Sequence, residues 1–350
     1  MKVHIYSRSF APAVGGTETL MGLLADEFVR SGHIVEVTTE TAGEANLPYP
    51  IHRRTKHREY LRRAKEADVI LTAPLSLRRF PAQLLCGRPI FAVHPILLPE
   101  TGLARATNVL KRAAALFASN IVPSHFMQQH FPRSIVIPNP FDRSQFSWPT
   151  RTAKRTDVIF VGRLVPEKGC ALLLRAFADV CHAYPEARLT IIGDGSERIR
   201  LHELARELGI DHIVRFNGEL IGPDLAKTMQ AHGTMVVPTE CEEAFGIVAL
   251  EGLASGCRMV VAESGGLPEV VGELALKFRR GDQCDLARQL CVALSSSDSK
   301  PGKNEVERHL DQFTPERVAN IYRIMMEWHV NIHLNGGLST QSSAKFDIEF

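Results

Sequence analysis

At 350 residues the chain exceeds one ordinary hydrophobic core, so two domains are expected. With 45% apolar and 23% charged residues it has a globular composition. Its strand-sized apolar runs exclude a membrane-spanning helix, and the opening MKVHIYSRSF lacks the apolar core of a secretory leader. The net charge of +2 hides an asymmetry: residues 1–150 hold 18 Lys/Arg against 11 Asp/Glu (+7), leaving 23 against 28 (−5) for the remainder. The positive excess is densest between Arg53 and Lys65, a segment suited to a solvated helix face, nucleic acid, an anionic membrane or an acidic acceptor. Seven cysteines show no CxxC pair and no metal spacing, which fits reduced thiols in a cytoplasmic protein.

Strand-like and helix-like segments alternate from the start. Strands are expected at 3–7, 33–39, 68–72, 89–93, 120–122 and 134–138, with helices at 17–30 and 104–118. A Pro-, Ser- and Thr-rich stretch at 140–156 reads as a linker, after which the alternation restarts. The second set has strands at 157–161, 188–192, 213–216, 235–237 and 258–262, and helices at 171–184, 197–208 and 224–231. Helices at 284–295, 305–313 and 315–330 close the pattern, the last opened by Thr314 and Pro315, and 331–350 reads as a loose tail. The fold class is α/β, with two doubly wound domains at 1–150 and 151–330, the final helix packing back toward the first.

The stretch 239–256, TECEEAFGIVALEGLASG, carries the most chemistry. Its apolar density predicts a helix ended by Gly256, with Glu243 and Glu251 on nearly one face. Eight residues at ~1.5 Å each put these carboxylates about 12 Å apart, roughly the span from ribose to sugar in a nucleotide sugar. Parallel sheets bind ligands beyond the carboxyl ends of their strands, so the residues after each strand are candidates. Gly162, Arg163 and Lys168 follow the first strand of the second half, where two cations at a turn suit a diphosphate. Glu219 and Leu220, after a later strand, are placed to offer backbone groups to a base. Gly15 and Gly16, after the first strand of the chain, allow close approach of a ligand at a helix start. The nicotinamide fingerprint GxGxxG is absent there.

The segments PAVGGTE, VIPNPFD, VGRLVPEKG, TIIGDG, VRFNGEL, VVPTECEEAFGIVALEGLASG and SGGLPEVV, in this order, resemble the retaining glycosyltransferases of family 4 (glycosyltransferase group 1). The likeness is strongest from residue 157 onward, and the E-x7-E pair Glu243/Glu251 is its most specific mark. It implies the GT-B fold, two Rossmann-like domains facing across a cleft, the first on the acceptor side and the second holding the donor. It also implies roles. Arg163 and Lys168 would hold the donor diphosphate, Glu251 the ribose hydroxyls, and Glu243 the sugar hydroxyls beside the backbone N–H groups of Phe245, Gly246 and Ile247. Gly15 and Gly16 would line the cleft from the N-terminal side, and His94 would lie near the donor's anomeric carbon.

The expected activity is metal-independent, retaining transfer from a nucleotide-diphosphate sugar to a saccharide or lipid-linked acceptor, with no cofactor and no nucleic-acid partner. Polysaccharide or glycolipid synthesis in the cytoplasm, at the inner face of a membrane, is the setting such a resemblance implies. A nucleotide-sugar epimerase and an inactive nucleotide-sugar binder are the alternatives. The intact cationic clamp and acid pair argue against both.

Overall fold

The computed structural model describes residues 1–97, 104–149, 157–295 and 301–334, and within them two all-parallel sheets. The first contains β1 (Lys2–Ser7), β2 (Ile34–Thr39), β3 (Ile51–Arg53), β4 (Val69–Ala73), β5 (Ile90–Val93), β6 (Ser119–Val122) and β7 (Ile135–Val136), in spatial order 3-2-1-4-5-6-7. The second contains β8 (Asp157–Val161), β9 (Arg188–Ile192), β10 (Val214–Phe216), β11 (Thr234–Val237), β12 (Arg258–Glu263) and β13 (Ala275–Arg279), in order 10-9-8-11-12-13. Counted from its own first strand, the second sheet is wound 3-2-1-4-5-6, the same winding as the first. Each sheet therefore has its switch point beside its first strand, between β1 and β4 and between β8 and β11, where loops diverge and leave room for a ligand.

The central strands of both sheets are apolar on both faces because helices cover each side. β4 reads VILTA and is buried throughout, and Val3, Ile5, Val37, Val69 and Leu71 form a core with Leu20, Leu24 and Phe28 of the helix Gly16–Arg30. In the second unit Val158, Phe160, Leu189, Ile191 and Val236 pack with Leu173, Leu174 and Phe177 of the helix Cys170–Cys181. Two edge strands escape sequence reading. β3 is three half-buried residues, and β13 mixes Lys277 and Arg279 into its apolar pattern, so neither has the periodicity that marks a strand.

The chain forms two compact units, Met1–Phe141 with Gln312–Phe350, and Asp142–Asp311. The division falls inside the stretch read as a linker, before rather than after residue 150. The helix Pro315–Leu334, counted by sequence in the second domain but expected to pack back toward the first, contributes Val318, Ile321, Tyr322, Met325 and Met326 to the first unit's core. Its heptad-like apolar stripe had to be covered, and Leu20, Leu24 and Phe28 of the first helix are in the same cluster. The tail 335–350 and the middle of the linker lie outside the described residues.

Candidate donor site

The carboxyl edge of the second sheet is built from three loops pressed together. β8 ends at Val161 and runs into Gly162 and the exposed Arg163, then into a 3₁₀ turn, Pro166–Lys168. β11 ends at Val237 and runs into the loop 238–246, and β12 ends at Glu263 beside Gly265 and Gly266. Glu167 O accepts from the N–H of Glu240 (2.9 Å) and from the Thr239 hydroxyl (3.0 Å), tying the first loop to the second. Gly266 N–H donates to Glu243 O at 2.8 Å, tying the third to the second.

Two glycines make this contact possible. At Gly169, with φ +70°, a Cβ would stand 1.9 Å from Pro238 O. At Gly265, with φ +58°, it would stand 2.1 Å from Glu243 O. Backbone lies against backbone at both places, so no rotamer change could relieve a side chain. The loop carrying Glu243 is thus clamped from both sides by main chain.

That loop corrects one expectation. The helix begins at Ile247, not near Thr239, and ends at Ala254 with Ser255 as its cap and Gly256 in the left-handed region. Glu251 is on the helix, whereas Glu243 is in the irregular segment before it. The two acids therefore do not share a helical face, and the 12 Å helical spacing does not apply. Apolar density misled because Ala244 and Phe245 fill a pinned loop: Phe245 is 4% exposed.

Glu243 is held by Lys168, whose ammonium donates to both carboxylate oxygens (3.0 and 2.8 Å), and by the Thr239 hydroxyl at 3.3 Å. The pair is partly buried, with the lysine side chain 27% and the glutamate 19% exposed, so it is screened less than a surface pair. Arg163, by contrast, makes no ion pair among the described residues and stays exposed. Glu251 sits half-buried in an apolar helix. Burial, with a smaller contribution from the Asp142 carboxylate, pushes its pKa up to about 7. The helix start adds the N–H groups of Gly246, Ile247 and Val248, which precede its first bond, Ala249 N–H to Gly246 O at 2.9 Å. Glu219 is exposed and Leu220 half-buried just past β10, where Gly218 O accepts from Gly193 N–H at 2.7 Å.

Residues 142–304 match the family model described as glycosyl transferases group 1. The matched residues fall within the second unit, Asp142–Asp311. In sequence the chain is 38% identical over 170 residues to a D-inositol 3-phosphate glycosyltransferase of Corynebacterium kroppenstedtii, a match covering 45% of this chain and 37% of that relative. The chain thus spans under half the length of the relatives it matches this closely. A longer and weaker match, 24% identity over 368 residues, joins 94% of the chain to 79% of a phosphatidylinositol N-acetylglucosaminyltransferase component from Arabidopsis thaliana. Among solved structures, Anabaena Alr3699/HepE in complex with UDP and glucose superposes with a TM-score of 0.81 at 19% identity, covering 94% of this chain and 100% of that one. The two units thus have the α/β GT-B fold.

The remaining residues expected at the site belong to the first unit. Gly15 caps and Gly16 opens the helix Gly16–Arg30 immediately after the β1 loop, at that sheet's own carboxyl edge. His94 follows β5, 5% exposed, its ring stacked on Phe131 at 4.1 Å between centroids. Asn120 donates its amide N–H groups to Ala115 O (2.8 Å) and Ala118 O (3.1 Å), which turns its oxygen toward His94 Nε2 at 2.9 Å. His94 is therefore the Nε2–H tautomer. Burial lowers its pKa, so at neutral pH it is an uncharged imidazole. Asn120 and Thr239 are not picked out as site residues by sequence, because each acts through a contact with a residue distant along the chain.

Proposed function

We propose that the chain is a metal-independent retaining glycosyltransferase that moves a sugar from a nucleotide-diphosphate donor to a saccharide or lipid-linked acceptor. One observation carries the reading: the bidentate Lys168–Glu243 pair, set between two backbone-clamped loops at the switch point of a group 1 transferase domain. A diphosphate is already a fair leaving group, so transfer needs positioning and charge stabilisation more than strong acid–base catalysis. Arg163 and Lys168 supply the positive charge as the diphosphate departs, in the place a divalent cation would take. Lys168 bound to Glu243 also holds that carboxylate in one orientation toward the sugar hydroxyls. Glu251 takes the ribose hydroxyls and the helix start at Gly246 and Ile247 meets the anion. Neutral His94 serves the sugar as a hydrogen-bonding group rather than as a cation, and the acceptor gives its proton to the departing phosphate oxygen.

Thermal unfolding midpoints with UDP-, GDP- and ADP-sugars, with and without magnesium, test this on the parent and on Glu251→Ala. A ligand that binds only the folded state raises the midpoint. One nucleotide class should stabilise the parent equally without metal and fail on the variant. A strict magnesium requirement would overturn the metal-independent reading, and no shift with any donor would leave an inactive relative as the better account.

A peripheral seat on an anionic membrane, in the cytoplasm, completes the proposal. The basic segment between Arg53 and Lys65 is largely engaged: Arg53 donates to Thr41 O and Ala11 O, Arg62 pairs with Glu66, and Arg63 with Glu59 and Glu36. The better support is the helix Ala104–Ala115 and the turn that continues it. Val109, Leu110, Leu116 and Phe117 are 58–75% exposed on one stripe, while Asn108, Ala114 and Ala115 face inward. Lys111 and Arg112 accompany the stripe, and from Val69 to Phe141 the only acid is Glu100. Sedimentation with phosphatidylglycerol vesicles should be lost in Leu116→Glu/Phe117→Glu; equal sedimentation of that variant would refute the membrane seat.

A further inference from the structure

We propose that the carboxyl edge of the first sheet binds a phosphoryl group, and that the acceptor of this chain is accordingly a phosphate ester. The acceptor assignment rests on the transferase reading; the anion site stands without it.

Four arginines come from the loops where β1, β3 and β4 end and contact Glu40, which follows β2, two of them at its carboxylate. Arg8 follows β1; its N–H donates to Ala73 O at 3.2 Å and its carbonyl accepts from Glu40 N–H at 3.3 Å, joining the ends of β1, β2 and β4. Arg54 follows β3, with its backbone N–H on Thr39 O (2.8 Å) and its Nε on Glu40 O (3.3 Å). Arg79 is fully buried, donates through Nε (3.1 Å) and a terminal nitrogen (2.7 Å) to Glu40 Oε1, and lies over the rings of Tyr60 and Tyr6 at 5.1 and 5.9 Å. Arg78 reaches only to 4.0 Å from Glu40 Oε2. Among the described residues Glu40 is the one carboxylate any of these guanidinium groups pairs with, and Arg79 already takes its Oε1.

The arrangement separates a frame from a binding face. Arg79 and Glu40 are the frame, locked by burial, two rings and the Thr55 carbonyl at 2.9 Å. Arg8, Arg54 and Arg78 are exposed on loops that backbone bonds join, and of the three only Arg78 approaches a carboxylate, at 4.0 Å from one that Arg79 already shares. Such a cluster is unfavourable unless an anion shares it, and guanidinium forks match phosphoryl oxygens. Two further observations point the same way. Arg54 is one of two non-glycine residues with positive φ (+49°) among those described, a strain typical of ligand-contacting loops. A terminal nitrogen of Arg79, Nη1, is buried without a partner among the described residues. Carboxyl ends beside a switch point are where doubly wound sheets take ligands, which places the cluster at the first unit's own binding edge.

The test uses the full chain carrying Arg163→Ala/Lys168→Ala, so that phosphate cannot be credited to the donor clamp. Calorimetric titration with inorganic phosphate and with glycerol 3-phosphate, at constant ionic strength, should show binding that weakens at least about tenfold when Arg8→Ala/Arg78→Ala is added. Both arginines are exposed, so the added changes leave the fold intact, and an unchanged thermal midpoint without ligand checks this. Arginine-dependent binding of the free esters alone assigns a soluble acceptor. Arginine-dependent binding to phosphatidic acid vesicles, absent on phosphatidylcholine, assigns a lipid head group. Equal affinity with and without Arg8 and Arg78 would mean an adventitious ion only, and no phosphate binding once Arg163 and Lys168 are removed would place the sole anion site in the second unit; either overturns the proposal. UDP titration of the unaltered chain reports the transferase reading separately.

Discussion

The two sheets are wound identically, yet their carboxyl edges are made differently. In the second unit the edge is main chain against main chain: Gly169 on Pro238 and Gly265 on Glu243 leave no room for side chains, and the Lys168–Glu243 ion pair stands in the resulting frame. In the first unit the corresponding edge is side-chain chemistry, with Arg8, Arg54, Arg78 and Arg79 around Glu40 and a neutral His94 stacked on Phe131. Close backbone approach tolerates few sequences, so the second edge announces itself in motifs. Long, charged side chains from separate loops can reach a ligand in many ways, so the first edge does not.

The sharpest way to break the contrast is to put a side chain where the second edge forbids one. Gly265→Val adds a branched Cβ at a left-handed φ and 2.1 Å from Glu243 O, and should displace the Glu243 loop altogether. Loss of more than ~3 kcal/mol in chemical denaturation, together with loss of nucleotide binding, is expected. Retained nucleotide affinity would show that the clamp is not what positions the site.

Next comes the ion pair. Lys168→Ala leaves Glu243 partly buried without its cation and removes charge from the diphosphate, so kcat in a transfer assay should fall about 10²–10³-fold. Glu243→Gln should cost less, because the lysine then remains for the diphosphate. The reverse order would make sugar orientation, not charge, the dominant contribution.

A smaller effect concerns Glu251. Its folded pKa, about 7, is raised from the ordinary 4.5, so folding favours the protonated form. Stability from this group is fully present below about pH 4.5 and is lost as pH rises toward and through 7. Glu251→Gln should abolish this slope, making the variant more stable than the parent by about 1–3 kcal/mol at pH 8 and nearly equal at pH 4.5. Denaturation at the two pH values measures the difference directly. The same burial predicts that a ribose bound by the ionised carboxylate binds more tightly above pH 7 than at pH 5.5.

The smallest expected effect lies in the first unit. Asn120→Asp keeps the size of the group but places a carboxylate against His94 Nε2 at the position of an oxygen now 2.9 Å away. It also loses the two N–H donors to Ala115 and Ala118. The imidazole pKa, read by proton NMR titration, should rise from its depressed value, with a rate change well below that of Lys168→Ala. An unmoved pKa would show that Asn120 does not control the ring.

The alternation of apolar segments, the restart after residue 156 and the loop motifs from Gly162 to Gly266 were all readable in order along the chain. They are local: a buried parallel strand must be apolar over successive residues, and a tight loop must place glycine where backbone crosses backbone. Tertiary structure decided the rest. It removed Glu243 from the helix, because the loops after β8 and β12 hold residues 239–245 to themselves. It gave the last helix, expected to pack back toward the first domain, its place within the first unit, where an apolar stripe found the surface that buries it. It also gathered Arg8, Glu40, Arg54 and Arg79, which occupy four separate loops and share no spacing. Periodicity records only which face of an element is buried; the partner across the gap is set by packing between distant segments, and no local pattern encodes it.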